Sequence, residues 1–159
     1  MIAGIIVTFT RAPLHLPGHK ALLWMIPILA ARLVTRARIG ATVGAAATIV
    51  TTILLDGHLA GGVAMMPLVV LCGLVFDAAI IVSDRFHNGL PARILLLAAA
   101  GMAGDAFCFV KRLFEPGVDF SSDLLTAGAW YAIFGLIAGL VGAAVGYCLK
   151  EFKSPRPHN

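Results

Sequence analysis

Apolar residues follow one another in long, nearly unbroken runs, and the charged residues gather in the short gaps between them. Six segments can be marked: Met1–Thr10, Gly18–Val34, Ile39–Leu55, Gly62–Val82, Gly89–Val110 and Leu124–Lys150. The hydrocarbon core of a bilayer is about 30 Å thick, so a crossing helix needs roughly 20 apolar residues. The fourth, fifth and sixth segments meet that length with some tilt, and the third is just long enough. The second carries Arg32 near its end, where a long side chain can snorkel to the headgroups. The first segment reaches only about 15 Å as helix, half a bilayer. It either runs on through Arg11 toward Pro17, re-enters the membrane, or starts upstream. No basic residue precedes it and no small-residue cleavage site follows, which is unlike a signal peptide. None of the runs alternates as barrel strands of about 10 residues do, so the spans are expected to be helices. The expected fold is an all-α integral membrane protein: a compact bundle of about six transmembrane helices over residues 1–150, with a basic tail over 151–159.

Composition agrees with the pattern. Hydrophobic residues form 60% of the 159-residue chain and the mean hydropathy is +0.95, far from the balance of a water-soluble domain. The basic residues set a direction. Arg32, Arg36, Arg38, Arg85, Arg93, Lys150, Lys153 and Arg156 fall on one side of the proposed spans, whereas Arg11, Lys20, Lys111 and Arg112 fall on the other. By the positive-inside rule the first group is cytoplasmic. With six crossings both termini are cytoplasmic, and the expected location is the cell membrane, multi-pass. The outer loops are then Arg11–Pro17, Asp56–Gly61 and Lys111–Asp123. A net charge of +4 spread as juxtamembrane anchors is not a nucleic-acid footprint. Cys72, Cys108 and Cys148 lie inside spans without CxxC or CxxH spacing, so neither a disulfide framework nor a zinc site is expected.

Small residues are expected to hold the helices together, because lipid offers no hydrophobic drive for their association. Gly40 and Gly44 are separated by three residues, as are Gly135 and Gly139, and Gly142 and Gly146; the fifth segment adds Ala98–Gly101 and Gly104. These faces form either seams inside the bundle or a docking surface for a separate membrane subunit.

Two carboxylates lie within spans, and each needs a partner, a proton or a water-filled cavity. Asp77 sits close in depth to Arg32 and Arg93, which suggests a structural ion pair. Asp105 lies near the other end of the fifth segment, with Lys111 or Arg112 as the only bases able to reach back; it is a candidate for lining an outward-facing site. His15, His19 and His58 fall on the same outer side. With Asp56 and Asp105 they could bind a divalent metal, or they are plain loop histidines; no fixed spacing decides between these. No histidine lies mid-span, which argues against bis-histidine haem, and no cofactor is expected. Trp24, Trp130 and Tyr131 lie in the outer halves of their segments. They form either an interfacial belt or a platform for a flat ligand. In the fifth loop Phe114, Glu115, Asp119 and Phe120 would suit a gate over such a pocket.

Motifs for catalysis are not found: no GxxxxGK[ST], HExxH or GxSxG, and no mid-membrane acid–base pair. Nor is there an Arg-rich voltage sensor, a TVGYG filter or a clear inverted repeat. The chain is therefore expected not to be an enzyme.

The run Leu16-Pro-Gly-His-Lys-Ala-Leu-Leu-Trp24, leading into the Arg32–Arg38 turn and the Gly40/Gly44 helix, resembles the first loop through third helix of substrate-binding S components of energy-coupling factor transporters. Six short helices, cytoplasmic termini and polar outer loops extend that resemblance over most of the chain. It implies capture of a small solute, either a vitamin, a vitamin precursor or a metal ion, beneath the outer loops. By position the implied binding residues are His15, His19, Trp24, His58, Asp105, Phe109, Trp130 and Tyr131. The implied partners are a transmembrane coupling subunit and cytoplasmic ATPases, within the lipid bilayer and without nucleic acid. The first segment departs from the family in offering only Ala3 and Gly4 where a small-x3-small docking motif usually lies. Met1-Ile2-Ala3 also lacks the histidine next to the start through which cobalt and nickel members bind metal. The competing expectation is a non-catalytic membrane-anchor subunit of a larger complex.

Overall fold

A computed structural model describes residues 18–35, 37–54, 65–85, 89–113 and 122–153. Five helices account for nearly all of them: α1 (Ala21–Thr35), α2 (Gly40–Leu54), α3 (Met66–Arg85), α4 (Leu90–Leu113) and α5 (Ser122–Lys153). They correspond to the second through sixth apolar segments, with ends displaced by at most four residues. The first segment lies outside the described residues. Lys111 and Arg112, expected in a loop, belong to the last turn of α4, where long unbranched side chains favour the helix. Likewise α5 runs through Lys150 to Lys153.

Helix lengths bear directly on the membrane. Met66–Arg85, Leu90–Val110 and Leu124–Phe152 are long and apolar enough to cross it. At 15 residues each, α1 and α2 span about 22 Å, short of a hydrocarbon core of about 30 Å. Among the described residues three helices are thus long and apolar enough to cross. The six expected crossings counted α1 and α2 as full spans.

Each helix packs on its sequence neighbours, and α5 returns to pack along α1, closing a ring. Because consecutive helices run antiparallel, one end of the ring collects Arg32, Asp77, Arg93 and Lys150. The other collects Gly18, Asp105 and Tyr131. Met25 and Leu29 of α1, Phe76 of α3 and Leu97 of α4 are enclosed at the centre. The outward surface is also apolar: Val43, Leu54, Leu74, Leu95, Leu125, Val141 and Phe152 are all exposed. A ring that is apolar inside and outside suits lipid as its solvent.

Small residues form the seams. A Cβ on Gly101 would collide with the carbonyl oxygen of Gly135, and one on Gly139 with that of Leu97, so α4 and α5 meet backbone to backbone. Gly142 and Gly146 face the opposite neighbour, receiving Leu29 and Leu33 of α1. Gly73 of α3 lies against the backbone of Ala41 and Thr42. These small residues are spent inside the bundle, as the seam reading has it.

Asp77 ties three helices at the Arg32 end. Its Oδ1 accepts from Arg32 Nε at 2.7 Å and from the Ala41 amide at 3.1 Å. Its Oδ2 accepts from the Thr42 amide at 2.9 Å and the Thr42 hydroxyl at 2.7 Å. A carboxylate of α3 thereby caps the N-terminus of α2 while neutralising a cation of α1, satisfying donors that a helix start leaves open. The ion pair expected from depth is present, with Arg32 as the partner. Arg32 does not snorkel outward; it is 6% exposed, because an internal carboxylate offers it a charged hydrogen bond that lipid cannot. Arg93 pairs instead with Asp84 at 3.1 Å.

Candidate functional site

The Gly18 end is organised by a turn that a side chain would obstruct. Gly18 has a φ of +81°, a region open to glycine and costly for other residues. Its carbonyl accepts from the Ala21 amide at 2.9 Å, and the next two bonds, Leu22 to His19 and Leu23 to Lys20, follow the same three-residue spacing. The turn thus feeds directly into α1. A Cβ on Gly18 would lie 3.0 Å from Tyr131 Cα and 3.2 Å from Asp105 Oδ2. The missing side chain lets the turn rest on α5 and close over the Asp105 carboxyl.

Asp105 is 2% exposed, and its Oδ2 is buried without a hydrogen-bond partner. Its Cβ faces Gly135, whose lack of a side chain admits it between α4 and α5. Cys108 and Phe109 follow at the i+3 and i+4 positions, on the same face of α4. Cys108 is buried and reduced. The Phe109 ring packs on Gly128 and meets the Tyr131 ring at 5.6 Å between centroids, tilted by 49°. On the α3 side, Cys72 Sγ fills the space at Gly104 beside Asp105, with Met25 Cε close by. The result is a buried carboxyl among two thiols and two aromatic rings, roofed by the Gly18 turn.

The residues expected to bind a solute separate into three groups. Asp105, Phe109 and Tyr131 are brought together, and His19 lies in the turn that covers them, half-buried with Nε2 enclosed. Trp24 is 7% exposed and belongs to the hydrophobic core, so it is not a belt residue. Trp130 is half-buried and stacks on Phe134 one turn along α5, 5.6 Å between centroids. His15, His58 and Asp56 lie outside the described residues, as do Phe114, Glu115, Asp119 and Phe120. Among the described residues no group of three His, Cys, Asp or Glu side chains could hold a metal ion.

Sequence reasoning missed Gly18 as the element that covers Asp105. Its only local sign was the Pro17-Gly18 pair, which marks a turn but not what the turn rests on. Also missed was a cleft of about 610 Å³ at the Arg32 end, bordered by Arg38, Ser83, Arg85, Arg93 and Lys150. Those cations were visible as a topology signal, yet nothing in their spacing shows that they converge.

No family model matches the chain, and neither a curated protein nor a solved structure does.

Proposed function

We propose that the chain is a membrane-embedded capture subunit for a small solute, working as the S components of energy-coupling factor transporters do. The solute carries a cationic or N–H donor group that pairs with Asp105. One observation carries this reading: an enclosed carboxyl oxygen, without a donor, beside the rings of Phe109 and Tyr131 and beneath the Gly18 turn. An acceptor left open at membrane depth costs several kcal/mol, whereas a bound donor turns that cost into a charge-assisted hydrogen bond. Aromatic faces next to it suit a flat or cationic organic group.

The charge asymmetry supports an outward orientation of this end, and on this reading the solute arrives from outside. Its reorientation and release fall to a membrane coupling subunit and cytoplasmic ATPases, since the chain has no nucleotide-binding motif of its own. Solute in place of the open donor position would hold the Gly18 turn and His19 down over α4 and α5.

Equilibrium dialysis of the purified chain against vitamins and vitamin precursors bearing amines or cationic rings, and against divalent metals, tests the reading. One organic probe is expected to bind. Asp105→Asn should weaken it by about 10- to 100-fold, as removal of one charged hydrogen bond does, with the unfolding temperature preserved. Absence of binding across the panel, together with constitutive co-purification with large membrane partners, would favour the anchor-subunit reading instead.

A further inference from the structure

We infer that the cleft at the Arg32 end binds a phosphate group, carried by an anionic phospholipid headgroup or by a free phosphate ester. The site lies at the opposite end of the bundle from Asp105 and does not depend on solute capture there.

Four parts of the fold converge on it: Arg38 from the turn before α2, Ser83 and Arg85 from the end of α3, Arg93 from the start of α4, and Lys150 from the end of α5. With Arg32, five cations border the cleft, against Asp84 as the single carboxylate among its lining residues. Asp77 compensates Arg32 from behind, which leaves the lining with a positive excess. Guanidinium groups approaching from separate helices suit the several oxygens of a phosphate better than the single acceptor of a carboxylate.

Ser83 supplies the second, independent observation. It is 3% exposed, and its Oγ is buried with no hydrogen-bond partner. Four threonine hydroxyls in the bundle return to the carbonyl four residues back, Thr35 to Ala31, Thr48 to Gly44, Thr51 to Ala47 and Thr52 to Thr48, and that of Thr42 donates to Asp77. Such back-bonding is the ordinary fate of a hydroxyl within a helix, and Ser83 departs from it where its helix borders the cleft. A phosphate oxygen would accept that hydroxyl.

Volume and depth describe the occupant further. About 610 Å³ exceeds what a bare phosphate needs and lies in the range of small organic ligands. Ile80 and Leu97 form an apolar wall beneath the cations, suited to the glycerol and first methylenes of a lipid. Positive-inside topology puts this end at the cytoplasmic leaflet, where anionic headgroups lie at the same height.

The test uses the full chain, delipidated in a neutral maltoside detergent, with thermal unfolding followed at constant ionic strength. The probes are dioctanoyl phosphatidylglycerol, dioctanoyl phosphatidylcholine, glycerol 3-phosphate and inorganic phosphate. Phosphatidylglycerol is expected to raise the unfolding temperature by several degrees and phosphatidylcholine to leave it unchanged. Arg38→Gln combined with Lys150→Gln should weaken the response at least tenfold; Arg38 is exposed and Lys150 half-exposed, so the fold tolerates both changes. Ser83→Ala should weaken it severalfold without lowering the unfolding temperature of the ligand-free protein. A response to phosphatidylglycerol alone assigns the site to lipid, and an equal response to glycerol 3-phosphate or phosphate assigns it to a free ester. If no anionic probe exceeds chloride, or the double variant responds as the parent does, the inference is overturned.

Discussion

Asp77 shows how a single carboxylate organises an apolar bundle. It receives four donors, from one side chain of α1 and from two residues that begin α2. Asp77→Ala would orphan the Arg32 cation and uncap a buried helix start at once. Removing one partner of a buried ion pair costs about 3–5 kcal/mol, and equilibrium unfolding in mixed micelles should report a loss of that size. A loss below about 1 kcal/mol would mean that the pair adds little to the fold. Part of this was legible in the sequence, because a charge within a span demands a partner at the same depth and Arg32 and Arg93 were the candidates. The choice between them was not, since depth says nothing about azimuth. For Asp105 depth named Lys111 and Arg112 as the bases that could reach back, yet the Gly18 turn and the Tyr131 contact are long-range facts that no local pattern encodes.

Glycines that look alike in sequence divide sharply by what each faces. Gly44 looks onto the side chain of Ile28 at 3.7 Å, an ordinary contact, whereas Gly101 looks onto the backbone of Gly135 and Gly139. Gly44→Ala should therefore stabilise the bundle by about 0.5–1 kcal/mol through helix propensity. Gly101→Ala has no flexible neighbour to displace and must push α4 away from α5, at a cost of about 1–3 kcal/mol. Unfolding midpoints of the two variants, measured side by side, should move in opposite directions. The spacing of small residues made the existence of seams legible from the sequence, and helix ends came within a few residues. The sequence could not say which glycine meets which helix. Amphipathic periodicity ordinarily supplies that orientation, and an exterior as apolar as the interior erases it.

The whole ring separates its polar chemistry between two ends: an acidic, aromatic one under the Gly18 turn and a basic one around Ser83. Sidedness follows from labelling. In a variant with its native cysteines replaced, Lys20→Cys should react with an impermeant maleimide applied to intact cells, and Arg38→Cys only after permeabilisation. The reverse result would invert the molecule and remove the basis for capture from outside. Closure of the ring also sets a schedule for its making. During synthesis Arg32 emerges 45 residues ahead of its counterion, and the face of α1 that holds Leu29 and Leu33 is completed only by Gly142 and Gly146 of α5. A nascent chain halted after α4 therefore presents an open flank of α1 to the insertion machinery until α5 emerges and seals it.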